Sequence, residues 1–194
     1  MTLVADDLKF RFTADRLCLD LASTLGERGH RDIERLNTVE DLEHWVVESE
    51  LLNAPIAASR GDLIRVKVLR CAIIAIFEGI LRGQTPRQGD LRVVNELAIA
   101  APIGLQIESD AQTLKKVAVE GYACVFSTIA RDAIQLLASH PGARLKACED
   151  AGCRMLFLDT SRTANRRWCS MVGIGCGNRA KKRSFNERHR EKSS

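Results

Sequence analysis

A mainly α (α+β) protein is what this sequence predicts: a helical N-terminal domain with a small β-hairpin, followed by a small C-terminal four-cysteine module. Three observations carry the prediction. Apolar residues recur every three or four positions over most of the first 140 residues. One stretch near Asp110 alternates about a turn instead. Four of the seven cysteines crowd between positions 148 and 176.

The elements follow in order. Phe10 to Leu25 opens on the alternation of Phe10 and Phe12 and runs through Leu17-Cys18-Leu19-Asp20-Leu21, predicting a short strand and then a helix. Thr38 starts the next helix: its hydroxyl can cap free amides, and Asp41 adds negative charge at the positive end of the dipole. Leu42, Trp45 and Val46 then share a face. From Asp62, the series Leu63, Val66, Leu69, Ile73, Ile76 or Phe77, and Ile80 continues to Gly83 and predicts the central core helix. Asp90 opens another, with Leu91, Val94, Leu97 and Ala98 inward and Pro102 ending it. Leu105 to Glu108 and Leu114 to Val119 flank Ser109-Asp110-Ala111 as a β-hairpin. Gly121 to His140 is a further helix, with Val125, Ile129, Ile134 and Leu137 inward. Pro141-Gly142 marks the domain boundary, dividing the chain into 1–142, 143–190 and a basic tail 191–194.

Composition excludes several classes. With 194 residues, 45% of them hydrophobic, the chain can bury a core and is neither disordered nor collagen-like. No apolar run approaches the roughly 18 to 20 residues that cross a bilayer, so no membrane partner is expected. Residues 1–17 include Asp6, Asp7, Lys9, Arg11, Asp15 and Arg16 where an export signal needs a continuous apolar stretch, so the expected location is a bacterial-type cytoplasm. His30, His44, His140 and His189 are scattered, without a nucleophile elbow, a metalloprotease helix or a nucleotide loop, and no enzyme is expected.

The cysteines divide by neighbourhood. Cys18, Cys71 and Cys124 lie inside apolar periodic segments, where a free thiol packs as a small hydrophobe. Cys148, Cys153, Cys169 and Cys176 form C-x4-C-x15-C-x6-C in a region poor in core residues. Two turns of paired thiolates suit one tetrahedral Zn²⁺, and four protein ligands leave no open position, so the metal is structural. The alternatives are two disulfides or four unrelated thiols. An odd cysteine total without an export signal argues against the disulfides.

Cys148-Glu149-Asp150-Ala151-Gly152-Cys153, Leu156-Phe157-Leu158-Asp159-Thr160-Ser161-Arg162, Arg166-Arg167-Trp168-Cys169 and Cys176-Gly177-Asn178-Arg179 together resemble the CGNR zinc finger. Leu17-Cys18-Leu19-Asp20-Leu21 and Thr38 to Trp45 resemble the ABATE domain, which precedes that finger in bacterial transcriptional regulators. Residues 1–142 then correspond to the ABATE-like domain and 143–190 to the finger. The resemblance implies DNA as partner, and places a ligand-pocket role on Asp20 and Thr24. The chain departs from the family in having six residues between Cys169 and Cys176 where four are usual, and Ser23-Thr24 where Asn-Thr is usual. Gly173 and Gly175 would let the longer loop fold back.

Charge supports the same end of the chain. Residues 160–194 hold 10 Lys and Arg against 2 Asp and Glu, while residues 1–159 hold 19 against 23. Arg162, Arg166, Arg167, Arg179, Lys181, Lys182 and Arg183 are the candidate nucleic-acid contacts. Since Zn²⁺ with four thiolates carries a net charge of about −2, Arg166, Arg167 and Arg179 could instead offset the cluster. Arg188, Arg190 and Lys192 extend the basic run. Trp168 reads as the finger's own core, Asn178 as a turn or cap residue, and Phe185 as packing back on the finger. The functional expectation is a DNA-binding regulator whose N-terminal domain supplies an effector pocket, a homodimer surface or both. The alternatives are an RNA-binding or protein-interaction module, and a thiol-based redox sensor.

Overall fold

Asp132 of a late helix accepts from the backbone amide of Cys18 at 2.9 Å and pairs with Arg16 at 2.7 Å, and this contact begins the first helix. The computed structural model describes residues 5–172 and 175–191. Gly173 and Lys192 lie outside the described residues, as do the side chains of Arg188 and Arg190.

Helix α1 (Leu17–Ser23) buries Cys18, Leu19, Leu21 and Ala22. Its end leads into β1 (Leu25–Gly26), which pairs antiparallel with β2 (Ile33–Glu34). Helix α2 (Val39–Glu48) opens on the cap expected of Thr38, and Asp41 completes a capping box by accepting from the Thr38 amide at 2.8 Å. Helix α3 (Arg60–Leu81) is the long central element. It starts two residues before Asp62 because Ser59 and Asp62 form a second capping box. Helix α4 (Gln88–Leu97) stops well short of Pro102, and the carbonyls of Ala98 and Ala100 beyond it accept from the Ser127 hydroxyl and the Arg131 guanidinium. Strands β3 (Gly104–Ile107) and β4 (Leu114–Val117) form the expected hairpin, and α5 (Tyr122–Ala138) follows.

Two expectations fail. Phe10 and Phe12 form no strand, because the alternation covers too few residues and meets no partner strand. Their rings instead pack together, and Phe12 reaches Trp45 at 6.3 Å. Cys71 is exposed rather than packed, since it falls on the outward stripe of α3 while Leu69, Ile73 and Phe77 take the inward one.

After a single 3₁₀ turn at Gly142–Arg144, strands β5 (Leu145–Ala147) and β6 (Leu156–Leu158) pair antiparallel, and helix α6 (Cys176–Glu191) closes the described chain. Both short strands pack on the helical domain, with β5 against α3 and β6 against α1 and α3. Leu145, Met155, Leu156 and Phe157 thereby join the same buried cluster as Leu19, Trp45, Ile73 and Phe126. Among the described residues no helix is long and apolar enough to cross a membrane.

Candidate metal centre

The strands β5 and β6 are separated by a turn that returns the chain on itself: the Cys148 amide donates to the Met155 carbonyl at 2.8 Å, and the Cys153 amide to the Asp150 carbonyl at 2.8 Å. These bonds aim the first two thiols at one point. The second pair comes from opposite sides of a longer loop, with Cys169 before it and Cys176 as the first residue of α6. The Gly177 amide donates to the Ser170 carbonyl at 2.9 Å and closes that loop. A side chain on Gly175 would fall 2.8 Å from the Val172 carbonyl oxygen, so the six-residue spacing depends on glycine there.

All four sulfurs are buried and lie within 4.8 Å of one another. The Cys153–Cys169 and Cys169–Cys176 separations are 3.7 and 3.6 Å. A tetrahedron with zinc–sulfur bonds of ~2.3 Å has edges of ~3.8 Å, which these distances match. They are far too long for S–S bonds of about 2.05 Å, and all seven cysteines are free thiols. The donor set therefore fits one structural Zn²⁺, held by Cys148, Cys153, Cys169 and Cys176.

The basic residues around the centre separate into four groups. Arg166 is a fastener. Its guanidinium donates to the carbonyls of Thr13 (2.8 Å), Trp168 (3.0 Å) and Cys169, pairs with Asp15, and lies 4.5 Å over the Phe157 ring. Arg179 and Arg183, one turn apart on α6, both reach Asp150 in the first cysteine turn, at 3.4 and 3.1 Å. Arg179 also donates to the Cys176 sulfur at 3.0 Å, so it offsets thiolate charge directly. Arg167 pairs with Glu149 and covers the Trp168 ring at 4.9 Å. Arg162, Lys181 and Lys182 are exposed and have no ion-pair partner among the described residues.

Other residues complete the setting. Buried Asp159 accepts from Lys146 (2.7 Å), the Arg166 amide and Ser161, and the lysine ammonium holds its carboxyl well below the usual carboxylate range. Trp168 is half-buried against the common core. Asn178 stands inside the first turn of α6 rather than at its cap. Phe185 does not fold back on the finger: it is 55% exposed and meets the His189 ring edge-on.

Asp20 and Thr24 stand apart from the centre. The Asp20 carboxylate accepts from the Ala14 amide at 3.1 Å, and burial pushes its pKa up to about 7, with Asp15 and Asp132 adding repulsion. Thr24 donates to the Leu21 carbonyl and accepts from Arg70, which grips Glu34 with both terminal nitrogens at 2.7 Å. Neither residue lines one of the four cavities of about 260–360 Å³ among the described residues.

Residues 15–140 match the family model ABATE, described as a "putative stress-induced transcription regulator", and residues 144–189 match the CGNR zinc finger. No curated protein matches the sequence.

Proposed function

Since the chain belongs to the ABATE family and carries a CGNR zinc finger, we propose that it is a cytoplasmic, bacterial-type regulator of transcription that binds DNA through the finger. The observation that carries this reading is helix α6. It has six lysines and arginines against two glutamates. Arg179 and Arg183 turn one stripe toward Asp150, while Lys181, on the opposite side, and Lys182 face solvent. A helix with an excess of positive charge, fixed at its first residue to a metal centre, presents its free cations to phosphates without a large ordering cost. A groove of about 270 Å³ beside it, lined by Arg167, Trp168 and Lys181, gives a phosphate or an unstacked base a place to lie.

In this reading zinc does no chemistry and the protein catalyses no step. The metal's contribution when bound is to hold four thiolates at one point. Cys176 then sets where α6 begins, Asp150 sets its roll, and Arg166 ties the loop before it to residues 13–15. The N-terminal domain senses a small-molecule effector. It also pairs with a second copy through the outward face of the hairpin, where Leu105 and Ile107 are exposed beside Leu114. The burial of all four zinc sulfurs favours a structural centre over a fast thiol sensor.

Fluorescence anisotropy of labelled duplex DNA, titrated with zinc-loaded protein over a salt series, tests the reading. The affinity should fall steeply with salt, with a log–log slope of about −3.6 for four phosphate contacts. Absence of binding at low salt sinks it, and tighter binding of a folded RNA at matched salt transfers the finger to RNA.

A further inference from the structure

The helical domain contains a cavity of about 330 Å³ between β1, α3 and the start of α4. That volume lies at the lower end of the ~300–1,000 Å³ range of small-molecule sites. Its apolar lining includes Leu25, Ile74 and Ala75. Its lining includes buried Arg28 and exposed Arg82 and Arg87, together with Glu78 and Asp90.

The charges are not equally available. Glu78 is shared by Arg28 at 3.2 Å and Arg82 at 3.4 Å, and Arg82 also donates to the Gln84 side chain at 3.3 Å, so a ligand at Arg82 has these two exposed contacts to replace. Arg87 has no ion-pair partner among the described residues and stands at the N-cap of α4, where no side chain caps the helix. The first-turn amides of α4 therefore add positive potential to the same corner. Asp90, in that first turn, offsets part of this potential.

We propose that this cavity binds a small organic monocarboxylate, with its carboxylate at Arg82, Arg87 and the α4 N-terminus and its apolar body over Ile74 and Ala75. The inference deepens the regulator reading and rests on it only for its consequence. That consequence runs through Arg28. The same guanidinium donates to Glu78, to the Leu25 carbonyl at 3.3 Å, and to the Arg154 carbonyl at 2.6 Å. Arg154 directly follows the zinc ligand Cys153. A carboxylate that draws Arg82 away from Glu78 leaves Glu78 to Arg28 alone, pulling that guanidinium off the Arg154 carbonyl and so loosening the first cysteine turn.

Cys71 supplies the test, because it lines the cavity and is the one exposed thiol of the seven. Alkylation of Cys71 by N-ethylmaleimide is followed by mass spectrometry on zinc-loaded protein, with graded benzoate or hexanoate and with benzamide as the uncharged control. Both carboxylates should slow alkylation saturably and benzamide should not. Arg82→Gln and Arg87→Gln, both at exposed positions, should each weaken protection by about tenfold. No protection by either carboxylate up to about 10 mM overturns the site. Equal protection by benzamide, or full protection in both variants, does the same.

The link to the finger is read separately, as zinc release to a chromogenic chelator. Saturating carboxylate should accelerate release by about fivefold, and an unchanged rate removes the link. Neither measurement contains DNA. A chain that binds carboxylates but ignores DNA keeps the cavity and loses the regulator reading, and a chain that binds DNA with Cys71 unprotected does the reverse.

Discussion

Arg183 donates to Asp150 at 3.1 Å, tying the basic helix to the first cysteine turn 33 positions upstream. Arg179 reinforces the tie at 3.4 Å, and both arginines are partly exposed. Each such pair is worth about 0.2–1 kcal/mol, so Asp150 controls the helix's orientation more than the stability of the chain. Asp150→Ala should therefore retain one zinc per chain while amide exchange over residues 177–186 accelerates several-fold. Loss of zinc in this variant would show that Asp150 supports the ligands themselves.

Cys169→Ser should lose the metal and destabilise more than the finger. Met155, Leu156 and Phe157 share the core of α1 and α3, so loosening the zinc turns opens that core. Zinc bound at about 100 times its Kd contributes about 2.7 kcal/mol, equivalent to a Tm loss of roughly 5–10 °C in a chain of this size. Metal analysis and calorimetry of wild type, variant and chelated protein check this. Two separated transitions in the wild type would contradict it.

Arg166 and Arg162, four positions apart, should behave oppositely. Arg166 joins the finger to residues 13–15 and covers Phe157, so Arg166→Ala should cost about 2–3 kcal/mol in denaturant unfolding. Arg162 is exposed and touches no carboxylate, so Arg162→Ala should change stability by less than about 0.5 kcal/mol. Its effect should appear in DNA binding, where each lost phosphate contact at Arg162, Lys181 or Lys182 lowers the magnitude of the salt slope by about 0.9.

Asp20 should make the fold weaken as pH rises through the mildly acidic range. Its folded pKa of about 7 lies above the unfolded value near 3.9, so the native state binds the extra proton between them. This contribution is full below about pH 4, declines toward pH 7 and is absent above it. Asp20→Asn keeps an acceptor for the Ala14 amide without the charge. At pH 8 it should stabilise the protein by on the order of 2 kcal/mol, and it should flatten the Tm–pH curve between pH 4 and 7.

The parts of the molecule that could be read in advance are the local ones. Thr38 with Asp41 announces a helix start because both capping partners lie within one turn. The four cysteines declare a centre by number and softness, although the spacing of the last pair is atypical. Arg162, Arg166 and Arg167 look alike in sequence. What separates them is Thr13 and Asp15, more than 150 positions away, and Glu149 across the cysteine turn. The carboxylate cavity was equally hidden, since Arg28, Glu78 and Arg87 come from three elements and form no motif. Phe10 and Phe12 misled because alternation of two aromatics fits a strand and an aromatic cluster equally well.

The core that runs without a break from α1 and α3 into β5 and β6 also makes the finger a poor candidate for transplantation. Severed at Gly142, one fragment would leave apolar surfaces of α1 and α3 bare, and the other would expose Leu145, Leu156 and Phe157. Both pieces would tend to aggregate. Recombination therefore favours inheritance of the helical domain and the finger as a matched set, and side chains on α6 can be altered with less disturbance to the fold than whole modules can be exchanged.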